Sequence, residues 1–101
     1  MAEYQLSPLA VSDIKDISAA TIEAWGKKQA RFYLEKLHNT LLMLASNPDL
    51  GQQRDEIFSG AKSFLSGKHT IFYRSGPRGI EVARVLHQRM DLYHQFGDER
   101  I

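Results

Sequence analysis

The chain has 101 residues, of which 43% are hydrophobic, enough for one compact core and too many for a disordered chain. It contains no cysteine, which excludes disulfides, thiolate chemistry and zinc sites built on sulfur. The net charge is only +1, yet residues 61–90 carry six lysines and arginines against one glutamate, a local charge of +5. One face is therefore expected to be basic and to suit an acidic partner or a nucleic-acid backbone, although a solvated sheet face would explain the charge equally well.

The sequence carries no pattern typical of a membrane or exported protein. No apolar run approaches the roughly 20 residues that a membrane helix needs. The first six residues lack the basic and apolar segments of a signal peptide. We therefore expect a soluble, cytoplasmic protein without a membrane partner, folded as one domain over residues 1–101.

The first half of the chain predicts a strand followed by a helical hairpin. Residues 3–6 alternate as in a short strand, Ser7 is a good N-cap, and Pro8 suits the first helical position. Apolar residues then follow helical spacing as far as Gly26, which predicts the helix end. A second and stronger apolar stripe ends at residues 47–48, because proline disfavours the α conformation in the residue before it. The two helices are expected to pack antiparallel across the glycine turn.

The second half predicts a loop and three strands. Residues 49–60 form the loop, with Ile57 and Phe58 as expected anchors on the core. The strands are predicted, in chain order, over residues 61–65, 68–74 and 80–86. The resulting order of strand, helix, helix and three strands predicts an α+β fold with a helical hairpin packed on an antiparallel sheet.

A few single residues carry their own predictions. A short helix over residues 88–96, or a tail, would follow the last strand and turn Met90, Tyr93 and Phe96 inward. Trp25, the only tryptophan, is expected in the core in preference to an exposed interface position. The histidines lack zinc-site spacing, and no phosphate-binding glycine loop is present. We therefore expect no metal and no cofactor.

The side chains of the second half also include the types that cleave RNA. A histidine can act as acid or base, and an arginine or lysine can stabilise charge on the phosphorane. The residues of these types are His69, Arg74, Arg84, His87, Arg89 and Tyr93. Such types are common in any basic sheet, so RNA cleavage is an alternative and not the first choice.

Residues 66–92, SGKHTIFYRSGPRGIEVARVLHQRMDL, resemble the ParE family of bacterial toxins. The run from Arg84 to Asp91, RVLHQRMD, is the longest and most specific part of the resemblance. Three further stretches are similar to the family: YQLSPLAVSDI near the start, EAWGKKQARFYLEKL across the Trp-Gly turn, and ASNPDLGQQRDEI in the loop. The resemblance covers nearly the whole chain, to about Phe96.

The resemblance implies a toxin of a type II toxin–antitoxin system with a RelE-like fold, which agrees with the element order above. ParE toxins usually act on DNA gyrase, which they trap in a state that leaves cleaved DNA and stops replication. Their antitoxin, ParD, has a DNA-binding N-terminal part and an extended C-terminal part that wraps the toxin, and the complex represses its own operon. The implied partners are therefore gyrase and a ParD-like antitoxin, in a hetero-oligomer that meets DNA only indirectly.

The resemblance also bears on catalysis. RelE relatives with the same fold are ribosome-dependent mRNA endonucleases, and they usually carry an arginine in the third strand. The matching position here holds His69, so charge stabilisation at a scissile phosphate would be weaker. This departure favours a toxin that binds its target and is not an enzyme. A histidine can itself act as a base, so the endonuclease stays as the alternative, and a detoxified regulatory relative is a third possibility.

Two sets of contact residues follow from this interpretation. The candidates for gyrase are Arg74, Arg84, His87, Arg89, Met90 and Asp91. Within that set, Met90 is expected in the core in preference to the surface, and Asp91 suits a helix cap as well as it suits a contact. The candidates for the antitoxin are Ile17, Trp25, Tyr33 and Leu37, although most of that stripe must face the toxin's own core. Acidic residues of the antitoxin would meet the segment of charge +5 and speed association.

Overall fold

The computed structural model describes residues 2–90 and 95–96. Within them, Gln95 and Phe96 are helical. A helix was expected over residues 88–96, but residues 88–90 form a turn. Residues 91–94 lie outside the described part of the chain. The predictions for Asp91 and Tyr93 also lie outside them.

The helical hairpin begins and ends where the local signals predict. Helix α1 spans Pro8–Trp25, and the Ser7 side chain accepts a hydrogen bond of 3.0 Å from the backbone N–H of Ala10. Helix α2 spans Lys27–Ser46 and ends before the Asn-Pro pair. Gly26 alone joins the helices at a φ of 91°, which favours glycine, and its N–H and carbonyl bond to α1 and α2 respectively.

The five strands form one mixed sheet. Their bounds are β1 Glu3–Leu6, β2 Gln52–Gln53, β3 Lys62–Ser66, β4 His69–Gly76 and β5 Gly79–His87, and their order across the sheet is β1-β5-β4-β3-β2. Strands β2 to β5 pair antiparallel, while β1 pairs parallel with β5, so that Tyr4 lies opposite Ile80. The prediction of an antiparallel sheet is therefore wrong for β1. The helical hairpin brings the chain back across the sheet, and only this long-range path sets the direction of β1 beside β5.

A β-bulge divides β5 between the two faces of the sheet. Phe72 pairs with Arg84 but Tyr73 pairs with Val82, so Ala83 is an additional residue in β5. Side chains alternate between faces along a strand, and the additional residue lets Val82 and Val85 share the helix side while Arg84 faces outward. The apolar side chains of β5 therefore pack into two separate cores, one on each face of the sheet.

The larger core lies between the hairpin and the sheet. It contains Ile17, Leu37 and Leu41 from the helices and Ile71 and Tyr73 from β4, all buried. Burial of a large aliphatic or aromatic side chain contributes about 1.5–3 kcal/mol, so this layer supplies most of the hydrophobic stabilisation.

A smaller cluster covers part of the opposite face of the sheet. Phe72 and Leu86 are buried there beneath the loop residues Ile57 and Phe58, as expected for loop anchors. Phe96 packs edge-on against Phe72, with ring centroids 5.3 Å apart, which confirms that it turns inward.

Candidate functional site

Two histidines meet at the end of the sheet. His69 begins β4 and His87 ends β5, and they are direct cross-strand partners. Their ring centroids lie 5.4 Å apart and the rings are nearly perpendicular. By strand alternation both side chains lie on the helix side of the sheet, the side that also carries Ile71. The pair therefore faces the helical hairpin.

Tyr33 of α2 connects the hairpin to this pair. Its Oη lies 2.7 Å from His69 Nδ1 and accepts a hydrogen bond of 2.9 Å from the backbone N–H of Lys68. It also donates to the carbonyl of Ser66 over 3.3 Å. Gly67, at a φ of 60°, has no room for a side chain, because a Cβ there would lie 2.6 Å from Tyr33 Oη. One phenol thus holds the whole β3–β4 turn.

Burial and the neighbouring imidazole set the charge of His69. Desolvation, and then the proximity of His87, lower the pKa of His69 below that of an ordinary histidine. His69 is therefore neutral at neutral pH. It acts at this site as a polar, hydrogen-bonding group and not as a cation.

A cleft of about 510 Å³ opens between the tip of the hairpin and the β3–β4 turn. We call it the Trp25 cleft, and it is lined by Ile17, Ala20, Thr21, Trp25, Gln29, Tyr33, Gly67, Lys68, His69 and His87. Trp25 is 71% exposed on its rim, so the expectation of a core tryptophan is wrong. The reason is its place in the fold: as the last residue of α1 it lies at the hairpin tip, where no further layer covers it.

Arg84, a candidate for the gyrase surface, makes internal contacts. Its guanidinium forms a bidentate pair with Asp13 of α1, at 2.8 Å for both hydrogen bonds, and also donates to the carbonyl and side-chain oxygens of Gln95. Asp13 further accepts a bond of 3.0 Å from the backbone N–H of Val85. Both charged side chains are nearly buried, and the bond to Asp13 raises the pKa of Arg84 despite desolvation.

This ion pair closes an open strand edge. Strand β1 ends at Leu6, opposite Val82, so the rest of β5 has no strand on that side among the residues described. Helix α1 covers it instead: Asp13 binds the Val85 N–H, and the Ser7 hydroxyl donates to the carbonyl of Ala83 over 2.7 Å. Arg84 is thus placed as a structural residue.

The other gyrase candidates are scattered. Arg74 lies on the outer face of the sheet and pairs with Glu81 at 2.8 Å in a largely exposed position. Arg89 and Met90 follow β5 at the surface, and Met90 is 46% exposed, so the expectation that it lies in the core is wrong. It lies three residues beyond the end of β5, outside the apolar side chains that the strand turns toward the two cores. Among the members of this set that the structure describes, His87 alone lines the Trp25 cleft.

The antitoxin candidates fall into two groups. Ile17 and Leu37 are buried in the main core, as the helical stripe led us to expect, and Ile17 also lines the Trp25 cleft. Trp25 and Tyr33 are accessible from that cleft. The cleft therefore brings together residues of both predicted sets, which the sequence had indicated as two separate surfaces.

The described residues offer little for metal chemistry or membrane insertion. Within residues 2–90 and 95–96, no group of three or more histidine, aspartate and glutamate side chains is placed to hold a metal ion. None of the helices in this part of the chain combines the length and apolarity needed to cross a membrane.

Solved structures share this architecture of a helical hairpin on a mixed sheet. A structure described as the chromosomal ParDE TA system from P. aeruginosa superposes with a TM-score of 0.72 at 15% identity, covering 86% of this chain and 96% of that chain. The YoeB-YefM complex from Staphylococcus aureus superposes at 0.56 with 18% identity, covering 87% and 98%. The fold is thus that of the RelE-like toxins of type II toxin–antitoxin systems.

Sequence comparison narrows the class to one family. The family model described as ParE toxin of type II toxin-antitoxin system matches residues 4–92. A protein named Toxin ParE1 from Mycobacterium tuberculosis is 42% identical over 90% of this chain and 94% of its own length, and a Toxin ParE1 from Caulobacter vibrioides is 38% identical over 96% and 100%. The chain belongs to the ParE family and is the toxin component of a type II toxin–antitoxin system.

Proposed function

We propose that this toxin inhibits DNA gyrase by binding to it, blocks replication, and is neutralised by a ParD-like antitoxin. Membership of the ParE family is the observation that carries the proposal. The toxin would act in the cytoplasm, where replication takes place. It meets DNA only through gyrase or through the antitoxin.

The distribution of basic side chains supports binding without catalysis. Cleavage of a phosphodiester needs an acid, a base and a cation that converge on one phosphate. Arg74 is on the outer face of the sheet with Glu81, whereas His69 and His87 are on the helix side. Arg84 is committed to an internal carboxylate. Neither arginine therefore joins the histidine pair, whose cleft is lined by Lys68 alone among the lysines and arginines that the structure describes, and we propose no catalytic residue.

The gyrase contact is proposed at the exposed end that follows β5. His87, Arg89 and Met90 are accessible there, and Asp91 continues the same segment. The N–H of Met90 bonds to the carbonyl of His87 over 2.9 Å, which fixes the start of the segment against the strand end. Arg74 remains a peripheral candidate because its charge is shared with Glu81.

A plasmid assay with purified gyrase tests this proposal. The wild-type toxin should accumulate cleaved plasmid when gyrase and ATP are present, and should cleave nothing without gyrase. Arg89→Glu should lower cleavage at least about tenfold, since a reversed charge at an interface costs several kcal/mol. Arg78→Glu is the matched control, because Arg78 is also exposed but lies in the turn at the opposite end of β5. It should retain activity within about threefold. Equal loss in both variants, or no cleaved DNA with wild type, contradicts the proposal.

One observation favours the alternative of ribosome-dependent mRNA cleavage. His69, His87 and Tyr33 form a cluster of groups that can transfer protons, and the lowered pKa of His69 keeps its imidazole in the unprotonated form that a base requires. Translating ribosomes with a defined transcript distinguish the two functions. Specific cleavage that His69→Gln abolishes, with gyrase unaffected, would replace the binding proposal.

The antitoxin is proposed to be a ParD-like protein, in keeping with the P. aeruginosa ParDE structure. We expect the two chains to form a hetero-oligomer that represses its own operon. Co-expression with the product of a neighbouring ribbon-helix-helix gene should restore growth, and the two proteins should co-purify. Expression of the toxin alone that leaves growth unaffected would instead indicate a detoxified regulatory relative.

A further inference from the structure

The paired histidines of β4 and β5 occupy the position of an antiparallel ladder where side chains come closest. The Gln88 N–H donates to the Lys68 carbonyl over 2.9 Å, one position beyond the pair. His69 and His87 are therefore partners of the non-hydrogen-bonded kind, at which the two backbones and their side chains approach most closely. Both imidazoles line the Trp25 cleft, so they lie side by side on an accessible surface.

The separation of the two rings fits one shared metal ion. An imidazole nitrogen lies about 2.0–2.1 Å from a bound zinc ion, which puts the ring centroid about 3.2 Å from the metal. Two such centroids at a tetrahedral angle are about 5.2 Å apart. The centroids of His69 and His87 are 5.4 Å apart. Small changes of side-chain torsion are therefore enough to bring one nitrogen of each ring onto a common ion.

The contacts of His69 prepare it to be a metal ligand. Tyr33 gives its phenol proton to the Ser66 carbonyl, so its Oη accepts from Nδ1 of His69 over 2.7 Å. A metal-binding histidine usually donates its second ring N–H in this way, which fixes the ring and leaves Nε2 unprotonated. Desolvation also lowers the pKa of His69, so at neutral pH a metal ion meets a neutral imidazole and displaces no proton.

Two features oppose the ion, and both are at the surface. His87 Nδ1 accepts a hydrogen bond of 3.2 Å from the Arg89 N–H, and this bond is lost when the ring proton moves to Nδ1 and frees Nε2. The position is exposed, so water takes the place of the lost acceptor. Lys68 also lines the cleft and repels a cation, but it is exposed and salt screens its charge.

We propose that His69 and His87 form a binding site for a divalent transition-metal ion, with zinc as the expected occupant. Imidazole nitrogen suits zinc and copper, whereas magnesium and calcium prefer oxygen ligands. A pair of protein ligands leaves the remaining positions of a tetrahedral ion open to the cleft, whose volume of about 510 Å³ accommodates water there. The site is therefore exchangeable and not a structural centre. It goes beyond the proposed function and is independent of the toxin's target and antitoxin.

The hairpin supplies a matched control for this site. Tyr4 and His38 repeat the contact between Tyr33 and His69, with an Oη–Nδ1 distance of 2.6 Å. In both pairs the ring centroids are 5.6 Å apart and the rings are inclined by 67°. His38 lies on helix α2 and so has no cross-strand partner. The two Tyr–His pairs therefore differ chiefly in the second histidine that stands beside His69.

Calorimetric titration of the full-length chain, without an affinity tag, with zinc chloride near neutral pH tests the site. Wild type should bind one zinc ion. His69→Gln and His87→Gln should each weaken binding at least about tenfold, because loss of either ligand removes the chelate. His38→Gln and His94→Gln remove the other two histidines of the chain and should bind within about threefold of wild type. Circular dichroism spectra that match wild type exclude loss of fold as the cause.

Two further measurements report on the ligands themselves. With copper chloride as the probe, the electron paramagnetic resonance spectrum should show two nitrogen ligands in wild type and one in His69→Gln or His87→Gln. Zinc should also raise the urea midpoint of wild type and leave that of the variant lacking both histidines unchanged, since an ion that binds the folded state stabilises it.

The result that overturns the inference is equally specific. If His69→Gln and His87→Gln bind zinc within about threefold of wild type, or if wild type binds none at about 1 mM, the pair is not a metal site. A loss of binding confined to His38→Gln or His94→Gln has the same meaning. None of these measurements uses gyrase or antitoxin, so the proposed function and the metal site stand or fail separately.

Discussion

The ion pair between Arg84 and Asp13 should be among the strongest single determinants of stability in this toxin. The sequence made Arg84 a candidate contact for gyrase, and the structure gives it an internal role. Its side chain is 13% exposed and that of Asp13 is 11% exposed. The prediction is that Asp13→Ala destabilises the fold severely, whereas truncation of an exposed arginine–carboxylate pair does not.

The magnitude follows from what the truncation leaves behind. Without Asp13, the Arg84 guanidinium loses two hydrogen bonds of 2.8 Å and stays in a nearly buried place, and the Val85 N–H loses its acceptor. Removing one partner of a buried pair typically costs about 3–5 kcal/mol. Gln95 still accepts from the guanidinium, so we expect the lower end, about 3 kcal/mol. Total stabilities are only about 5–15 kcal/mol, so this is a large fraction.

The matched control is the pair between Arg74 and Glu81. Its Nε–Oε1 distance is also 2.8 Å, but the two side chains are 58% and 37% exposed. Exposed pairs contribute about 0–1 kcal/mol, so Glu81→Ala should cost no more than that. Both truncations remove a carboxylate from an arginine, and the pairs differ in burial and in the two further hydrogen bonds that Asp13 accepts, from the second guanidinium nitrogen and from the Val85 N–H.

Urea unfolding followed by far-ultraviolet circular dichroism is the suitable assay, because emission from the exposed Trp25 changes little on unfolding. With an m value of about 1–2 kcal/mol per M, Asp13→Ala should lower the midpoint by about 1.5–3 M. Glu81→Ala should lower it by less than about 1 M. Equal costs for the two truncations, within about 0.5 kcal/mol, would refute the reasoning that burial decides the contribution of these pairs.

Three further predictions concern the cleft. Gly67→Ala should cost about 1–3 kcal/mol more than Gly60→Ala in urea unfolding, because both glycines have positive φ but only at Gly67 would a Cβ collide with Tyr33; equal costs would contradict the clash. Trp25→Ala should change stability by less than about 0.5 kcal/mol, and a loss above 2 kcal/mol would mean that Trp25 belongs to the core. Because burial lowers the folded-state pKa of His69, the unfolded chain takes up this proton first and stability falls as pH drops through the ordinary histidine pKa. His69→Gln should flatten that part of the curve of unfolding free energy against pH, and an unchanged slope would contradict the assigned cause.

The boundaries of the elements could be predicted because each depends on a few neighbouring residues. The Ser7 cap, the Gly26 turn and the Asn47-Pro48 stop act within one or two helical turns, and each is found where the sequence indicates it. The direction of β1 depends on the path of the whole hairpin, and the contact between Asp13 and Arg84 joins residues 71 positions apart. No local pattern contains that information.

The histidine pair forms because the register of β4 against β5 shifts by one residue. Gly76 pairs with Gly79 at the β4–β5 turn, and a regular ladder counted from there would set His69 opposite Leu86. The additional residue Ala83 shifts the register by one, so that His69 meets His87. The sequence supplied both histidines and the strands that carry them, but the bulge that brings them together follows from packing on two faces and has no sequence signature here.

The positions of the basic side chains of residues 61–90 argue for a binding toxin more strongly than the net charge of that segment does. A charge of +5 over residues 61–90 suggested one basic face, as a nuclease would need. In the fold, Arg74 and Arg84 are matched by carboxylates, and Arg78 lies at the far end of β5 from Arg89. The charge is therefore dispersed over two ends of the sheet, and two of its arginines are paired with carboxylates. Dispersed charge steers and orients a large partner, whereas transition-state stabilisation needs it concentrated within hydrogen-bond reach of one phosphate.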